Sequence, residues 1–138
     1  MKQIEATIEF TVPFYDVDAM SIVWHGHYVK YFERARCALL DLLDYNYEQM
    51  RASGYLWPVV DMRIKYVKPL KFQQRLKVVA QLAEVEYGLK ITFQVIDVAS
   101  NEVLTKAYTK QVAVDSQTEE MCLLSPDILH QKVAAYEN

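Results

Sequence analysis

The sequence predicts an α+β fold in which one long helix lies along a five-stranded antiparallel sheet. Three observations lead to this prediction. Residues 3–12 alternate polar and apolar side chains, residues 27–43 repeat apolar side chains with the period of a helix, and four further strand-like segments follow Gly54. A single helix covers only one face of such a sheet, so the sheet is expected to wrap around the helix. The 138 residues suffice for one domain, which we assign to residues 1–138.

The N-terminal half combines a strand with the long helix. In residues 3–12 the apolar side chains share one face and the glutamates and threonines share the other, which is typical of a half-buried strand that Pro13 should end. From His27 to about Leu43, apolar side chains recur at i, i+3, i+4 and i+7, as on one face of a helix. This apolar stripe consists of Tyr28, Tyr31, Phe32, Ala35, Leu39, Leu42 and Leu43.

The C-terminal half is predicted to be mostly β. Residues 47–52 should first add one short helical turn, closed by Gly54. Val, Ile and Tyr are enriched in the segments that follow, and Gly, Asn and Pro separate them. The four strands are expected at residues 57–67, 76–87, 89–98 and 103–115. Ser125 is expected to cap a terminal helix over residues 128–136, with Pro126 in its first turn.

Composition and charge argue against several classes of function. The formal net charge of −3 disfavours sequence-independent nucleic-acid binding, which needs a basic surface. No apolar run approaches the ~18 residues of a membrane span, and the N-terminal segment lacks the apolar core of a signal peptide. Cys37 and Cys122 show no metal-ligand spacing, so we expect buried free thiols, no metal and no cofactor. We therefore expect a soluble cytoplasmic protein.

Residues 14–36 contain the side chains most suited to catalysis. Asp16 and Asp18 lie in a loop that ends in His25 and His27, directly before the longest predicted helix. A helix N-terminus presents free N–H groups and a partial positive charge, so it can stabilise an oxyanion that forms on a carbonyl. A carboxylate in the preceding loop could act as nucleophile or as general base on water. Together these two parts suit acyl transfer.

Simpler roles are open to the same residues. Asp16 or Asp18 could cap a turn by accepting hydrogen bonds from nearby backbone amides. His25 and His27 could be ordinary residues at the start of a helix. Glu33 could be a solvated charge on the polar face of that helix. Spacing alone does not separate these roles from the catalytic ones.

The order of residue types in this segment forms a longer pattern. It consists of Tyr15, Asp16-Val17-Asp18, Ile22-Val23, Trp24-His25, Tyr28 and Phe32-Glu33-Arg34-Ala35-Arg36. The pattern resembles the signature of hotdog-fold acyl-CoA thioesterases of the 4-hydroxybenzoyl-CoA thioesterase-like family, which includes the Tol-Pal-associated thioesterases. The resemblance implies the hotdog fold, in which a five-stranded antiparallel sheet wraps a long central helix.

The resemblance also implies roles for three residues. Asp18 aligns with the catalytic carboxylate of the family. His25 aligns with the residue whose backbone amide polarises the thioester carbonyl, and its imidazole aligns with a histidine that is important in one branch. Glu33 falls where another branch has its carboxylate, so it is a secondary candidate. The implied reaction is hydrolysis of an acyl- or aroyl-CoA to the free acid and CoA, with Asp18 as nucleophile or general base.

Two positions depart from the family pattern. The family usually has Gly three residues after the catalytic Asp, where this chain has Ser21, and a Gly there would allow a positive φ. One branch has a Tyr four residues before that Asp, where this chain has Phe14. Both departures bear on the shape of the loop and the range of substrates. The cations available for the CoA phosphates are Arg63, Lys65, Lys68 and Lys90.

Two other functions fit the same fold. One is a hotdog dehydratase, which pairs a His with an acid on the partner's helix, whereas His25 and Glu33 are eight residues apart and would both lie near one helix here. The other is a non-catalytic module that binds an acyl or aromatic ligand. In either a thioesterase or such a module, Tyr15, Trp24 and Tyr28 could line the pocket. We expect at least a homodimer, with the tetramer left open, because pairing with a second copy would cover an exposed sheet edge.

Overall fold

The computed structural model describes residues 3–138 of the chain. Residues 1 and 2, which belong to the predicted domain 1–138, lie outside the described residues. The strands are β1 (Glu5–Thr11), β2 (Tyr55–Leu56), β3 (Val59–Tyr66), β4 (Arg75–Glu84), β5 (Leu89–Asp97), β6 (Val103–Gln111) and β7 (Val114–Asp115). The helices are α1 (Tyr28–Leu42), α2 (Tyr47–Ala52) and α3 (Asp127–Glu137). Two short 3₁₀ turns, Phe14–Asp16 and His25–His27, precede α1.

Five of these strands form one antiparallel sheet in the order β1-β4-β5-β6-β3. Helix α1 packs across its inner face, mainly against β1 and β4. The short strands β2 and β7 pair with each other outside this sheet. The predicted α+β class and the long helix wrapped by a five-stranded sheet are therefore confirmed, and the arrangement is the hotdog fold.

The long helix is close to its prediction but one residue shorter at each end. It begins at Tyr28, because residues 25–27 form a 3₁₀ turn, and it ends at Leu42. The side chains that it buries are Tyr28, Tyr31, Phe32, Ala35, Arg36, Leu39 and Leu40. Phe32 stacks on Phe93 of β5 with ring centroids 4.9 Å apart. Within residues 3–138 no helix is both long and apolar enough to cross a membrane.

The last long strand is shorter than predicted. A single strand over residues 103–115 was expected, but β6 ends at Gln111. Both neighbouring strands have their last partner there, since Leu89 of β5 and Val59 of β3 both pair with Gln111. Beyond Gln111, within the described residues, neither β3 nor β5 contributes a further paired residue, and residues 114–115 pair with β2 instead.

The predicted cap of the terminal helix is wrong. Pro126 occupies the N-cap position of α3, and no side chain caps it. The Ser125 side chain is buried, and its hydroxyl accepts a hydrogen bond from the Gly88 N–H at 3.1 Å. Gly88 has φ +131°, and a Cβ there would lie 2.7 Å from the Gln111 carbonyl oxygen. Ser125 therefore fixes the β4–β5 turn, which is a long-range contact that a local capping rule does not predict.

Strand β3 forms one edge of the sheet and is mostly exposed. Its exposed apolar side chains include Val60, Met62 and Tyr66. An edge strand presents backbone N–H and C=O groups that can pair with another strand. Apolar side chains beside such groups make β3 the part of the sheet best suited to pairing with a second chain.

The two cysteines are free thiols, and the expectation that both are buried is wrong. Cys37 is exposed on α1 and Cys122 is half-buried. Cys37 lies four residues from Glu33 and from Asp41, on the polar side of the helix, outside the apolar stripe.

Candidate active site

The loop between β1 and α1 folds back on itself around Asp18. Val17 and Val23 form an antiparallel bridge, and the Asp18 N–H donates to the Ile22 carbonyl at 2.9 Å. Ser21 closes the turn, and its N–H donates to the Asp18 carbonyl at 2.9 Å. These bonds hold Asp18 beside the segment that leads into α1.

A second set of backbone bonds ties this loop to the segment before β4. The Val23 N–H donates to the Leu70 carbonyl at 2.8 Å, and the Phe72 N–H donates to the Ser21 carbonyl at 3.1 Å. The loop therefore adds a short extra ladder to residues 70–72. Its conformation is fixed by backbone hydrogen bonds, which depend little on the identity of the side chains.

Ser21 adopts the conformation that the family glycine would favour. Its φ is +61°, in the left-handed region where non-glycine residues are uncommon. Ser21 holds this positive φ at a conformational cost of roughly 1–2 kcal/mol.

Asp18 has one carboxylate oxygen engaged and one free. Oδ1 accepts a hydrogen bond from the Met20 N–H at 2.8 Å, so the turn-capping role considered for this residue is confirmed. Oδ2 accepts no hydrogen bond from any residue between 3 and 138. The side chain is half-buried. A carboxylate held through one oxygen keeps the other available to attack a carbonyl or to accept a proton from water.

Asp16, only two residues earlier, lies in a different environment. Its side chain is 2% exposed. It accepts hydrogen bonds from Lys30 Nζ at 2.7 Å and from the Tyr31 hydroxyl at 2.6 Å, and His27 Nε2 lies 4.0 Å away. Its backbone carbonyl accepts from the Trp24 N–H at 3.1 Å. Asp16 therefore joins the loop to the first turn of α1 instead of capping a local turn.

The charges and hydrogen bonds around Asp16 decide its ionisation. Burial alone would raise the pKa of this carboxyl. The hydrogen bonds from Lys30 and Tyr31 and the charge of Lys30 outweigh that effect and hold the pKa below its ordinary value of 3.8. Burial and the neighbouring carboxylate raise the pKa of Tyr31, so its hydroxyl stays protonated and donates. Asp16 is thus an ionised structural group.

The start of α1 presents unpaired backbone N–H groups. The His25 N–H donates no hydrogen bond to any described residue, while the His25 carbonyl accepts one from the Tyr66 hydroxyl at 3.3 Å. The Trp24 ring lies against Gly26, where a Cβ would be 2.2 Å from a ring carbon. The absence of a side chain at Gly26 thus lets Trp24 cover the helix start. An N–H at this position can donate to a developing oxyanion.

The three predicted pocket residues differ in exposure and in the residues that surround them. Trp24 is half exposed, between the rings of His25 and His27 at centroid distances of 5.1 and 5.4 Å. Tyr28 is 2% exposed, and its ring meets Tyr66 edge-on at 4.7 Å. Tyr15 is 80% exposed and lines a pocket of about 440 Å³ with Asp16 and Lys30 but without Asp18.

Both carboxylate oxygens of Glu33 are engaged. Oε1 accepts from Arg36 Nε at 3.0 Å, and Oε2 accepts from the Tyr47 hydroxyl at 3.1 Å. Arg36 is 1% exposed, and its Nη1 donates to Gln111 Oε1 at 2.6 Å. Gln111 in turn donates to the Trp57 carbonyl at 2.7 Å. Because a guanidinium stays charged when buried, Glu33 serves here as its counter-ion.

Four residues that shape this region were not among the predicted site residues. They are Lys30, Tyr31, Arg36 and Gln111. A signal for Arg36 was present, since it lies four residues after Phe32 and four before Leu40, on the buried face of α1. For Gln111 and for the partners of Asp16 the chain offered no local signal, because these contacts join distant segments.

Residues 12–131 match the family model described as the thioesterase-like superfamily. This chain belongs to that superfamily. The matched residues include the Asp18 loop, α1 and the sheet strands β3 to β6.

Named relatives and solved structures agree with this assignment. YneP of Bacillus subtilis (strain 168), named as a candidate acyl-CoA thioesterase, is 33% identical over 111 residues, which are 80% of each protein. Acyl-CoA thioesterase YbgC of Haemophilus influenzae is 32% identical over 101 residues, covering 72% of this chain and 74% of that protein. DHNA-CoA thioesterase of Staphylococcus aureus superposes with a TM-score of 0.80 at 22% identity, covering 97% of this chain and 93% of that one. This last likeness shows the shared fold.

Replacing Asp16 by Asn should destabilise the protein in a pH-dependent way. The variant leaves Lys30 and Tyr31 without a charged acceptor, so the free energy of unfolding at pH 7 should fall by about 1–3 kcal/mol. Because the folded protein lowers the pKa of Asp16, its contribution is complete above the ordinary value of 3.8 and is lost as the pH falls through the lowered pKa. Urea unfolding measures this effect. The difference in the free energy of unfolding between the variant and the wild type should be smaller at pH 3 than at pH 7.

Asp41→Asn is the matched control, because it makes the same change at an exposed aspartate on α1. It should change the free energy of unfolding by less than about 0.5 kcal/mol. If Asp16→Asn lowers the free energy of unfolding by the same amount at pH 7 and at pH 3, Asp16 does not stabilise the protein through its charge.

Proposed function

We propose that this chain is an acyl-CoA thioesterase, one domain over residues 1–138, which hydrolyses an acyl- or aroyl-CoA to the free acid and CoA. The names of its relatives support the substrate class. The observation that carries the proposal is the loop closed by the Val17–Val23 bridge. This loop holds Asp18, with one free carboxylate oxygen, against the segment that leads to His25, whose N–H is also free.

The proposed reaction uses these two groups together. The thioester carbonyl accepts a hydrogen bond from the His25 N–H, which stabilises the negative charge that develops on its oxygen. Asp18 then either attacks the carbonyl carbon, giving a mixed anhydride that water opens, or takes a proton from water as that water attacks. In both routes the C–S bond breaks, the thiolate of CoA leaves and gains a proton, and the acid is released.

Glu33 is the weaker candidate for the catalytic carboxylate. Its ion pair with the buried Arg36 and its bond from Tyr47 occupy both of its oxygens. An acid held in this way is poorly placed to attack a substrate. The same ion pair disfavours the dehydratase alternative, which needs a free acid on the helix.

The proposed enzyme works as a homodimer or a larger homo-oligomer in the cytoplasm. The exposed apolar edge of β3 supports pairing with a second copy. Two free cysteines in the described residues support a reducing compartment. The partner copy would also cover Tyr66, which contacts the helix start.

Asp18→Asn should lower turnover by at least ~10²-fold, because it keeps the shape of the side chain but removes the nucleophile or base. Asp16→Asn should lower turnover less at a temperature where it stays folded. Glu33→Gln should retain most turnover but unfold at a lower urea concentration, because Arg36 loses its counter-ion. A colorimetric thiol-release assay across a panel of acyl-CoAs measures the turnover of all three variants, and urea unfolding measures the stability of Glu33→Gln. If Asp18→Asn keeps full turnover and a folded Glu33→Gln variant loses its turnover, the catalytic carboxylate is Glu33 on the helix and not Asp18.

His25→Ala should lower turnover by about 10-fold to 100-fold, because the variant keeps the backbone N–H and loses only the imidazole. His25→Pro removes the N–H and should be far worse, with circular dichroism to confirm that the helix is retained. His27→Ala is the matched control and should be nearly silent in the thiol-release assay. A larger loss for His27→Ala than for His25→Ala would contradict the role given to the His25 amide.

The wild-type protein should be a dimer or larger at micromolar concentration by light scattering. Met62→Lys, on exposed β3, should shift it toward the monomer and lower activity, because a charge at the edge strand opposes pairing. Val98→Lys, at the exposed turn after β5, should change neither property. A wild-type monomer with full activity would disprove the proposed assembly.

A further inference from the structure

The outer face of the sheet carries an open pocket of about 260 Å³ between strands β3, β5 and β6. Four of its lining side chains are cations, Arg63, Lys65, Lys90 and Lys106, and none is a carboxylate. The register explains the clustering, because Lys65 pairs with Lys106 and both Arg63 and Thr92 pair with Tyr108. Paired residues in adjacent strands point to the same face.

Within the described part of the chain, these four cations lack the ion pairs that five other basic residues form. Lys30, Arg36, Lys68, Arg75 and Lys132 each form an ion pair with a carboxylate. No ion pair joins any of the pocket cations to a residue between 3 and 138. The Lys90 ammonium instead lies 4.7 Å from the centroid of the Tyr108 ring. The nearby Asp61 is engaged by the Tyr108 hydroxyl at 3.2 Å.

We propose that this pocket, lined by Arg63, Lys65, Lys90 and Lys106, binds the phosphate groups of the nucleotide end of the CoA substrate. A 3′-phosphate and a diphosphate need several cations close together, and unpaired arginine and lysine side chains supply them. The chain as a whole has a net charge of −3, so the cluster is a local excess of positive charge. The inference rests on the proposed acyl-CoA substrate.

The pocket and the helix start lie at the same end of β3. The Tyr66 hydroxyl contacts the His25 carbonyl on the inner face, and Lys65, the preceding residue, lies on the outer face because side chains alternate along a strand. The pantetheine arm of CoA is a long flexible chain between the thioester and the diphosphate. It can therefore pass around this strand end while the thioester stays at the helix start and the phosphates reach the pocket.

The test compares two thioesters of one acyl group, the CoA ester and the pantetheine ester, which lacks all the phosphates. In the double variant Arg63→Gln/Lys106→Gln, the KM for the CoA ester should rise at least ~10-fold with kcat unchanged. The KM for the pantetheine ester should stay within about two-fold of the wild type. Removing cations that contact only the phosphates cannot affect a substrate without them.

Arg75→Gln/Lys132→Gln is the matched control, with the same change of net charge at two cations that have their own partners. It should leave both KM values unchanged. An equal rise of KM for the CoA ester in both double variants would show a general effect of net charge and overturn the inference. An unchanged KM in the pocket variant would overturn it as well.

If neither thioester is hydrolysed, the proposed function is disproved, but the inference about the pocket is still testable by a binding measurement. Adenosine 3′,5′-bisphosphate should bind the wild-type protein by calorimetry at least ~10-fold more tightly than inorganic phosphate at equal ionic strength, and the pocket variant should lose this binding. The pocket does not hold the nucleotide if Arg63→Gln/Lys106→Gln still binds adenosine 3′,5′-bisphosphate, or if the wild-type protein does not bind it.

Discussion

The burial of Arg36 in the middle of α1 is the constraint on which much of the structure depends. A guanidinium remains charged inside a protein, so its N–H groups need hydrogen-bond acceptors when it is buried. Glu33 supplies one acceptor on the same helix and Gln111 supplies another at the end of β6. Gln111 also holds the Trp57 carbonyl before β3, and Glu33 holds Tyr47 of α2. One buried charge therefore sets where the helix meets the sheet and how the chain returns from the helix to β3.

The two aspartates of the Asp-Val-Asp motif show how neighbouring residues of one type acquire different chemistry. Asp16 accepts hydrogen bonds from Lys30 and Tyr31, and these bonds connect the loop to α1. Asp18 is held only through Oδ1 by a backbone N–H, so its second oxygen remains open. The rigid hydrogen bonding of the first residue fixes the position of the second. A nucleophile or base works best when its support comes from groups other than the reacting atom.

Local patterns predicted the elements well, and contacts between distant segments account for the errors. Period-two and helical periodicity located α1 and the sheet strands to within a few residues, because each pattern reflects burial on one face. The strand predicted over residues 103–115 was too long, since only its partners, ending at Leu89 and Val59, set where the ladder stops. The residues around Ser125 match a local helix-capping pattern, but its hydroxyl instead accepts a hydrogen bond from the Gly88 N–H, which is distant in the sequence. In the loop, the pattern of residue types indicated Asp18 and His25, while the partners of Asp16 and Arg36 depend on the tertiary fold.

The strand order β1-β4-β5-β6-β3 also constrains when the sheet can form. Strands β4, β5 and β6 follow one another and pair as a meander, whereas β1 and β3 pair only with strands that come later in the sequence. During synthesis from the N-terminus, both edge strands and the helix between them therefore leave the ribosome before their partners exist. Closing the β1–β4 and β3–β6 ladders requires long-range contacts, which slow folding. The apolar face of α1 lacks its sheet partner until β4 is complete, and the backbone of β3 lacks its partner until β6 is complete. Until then both are open to other proteins, including a second nascent copy of the same chain.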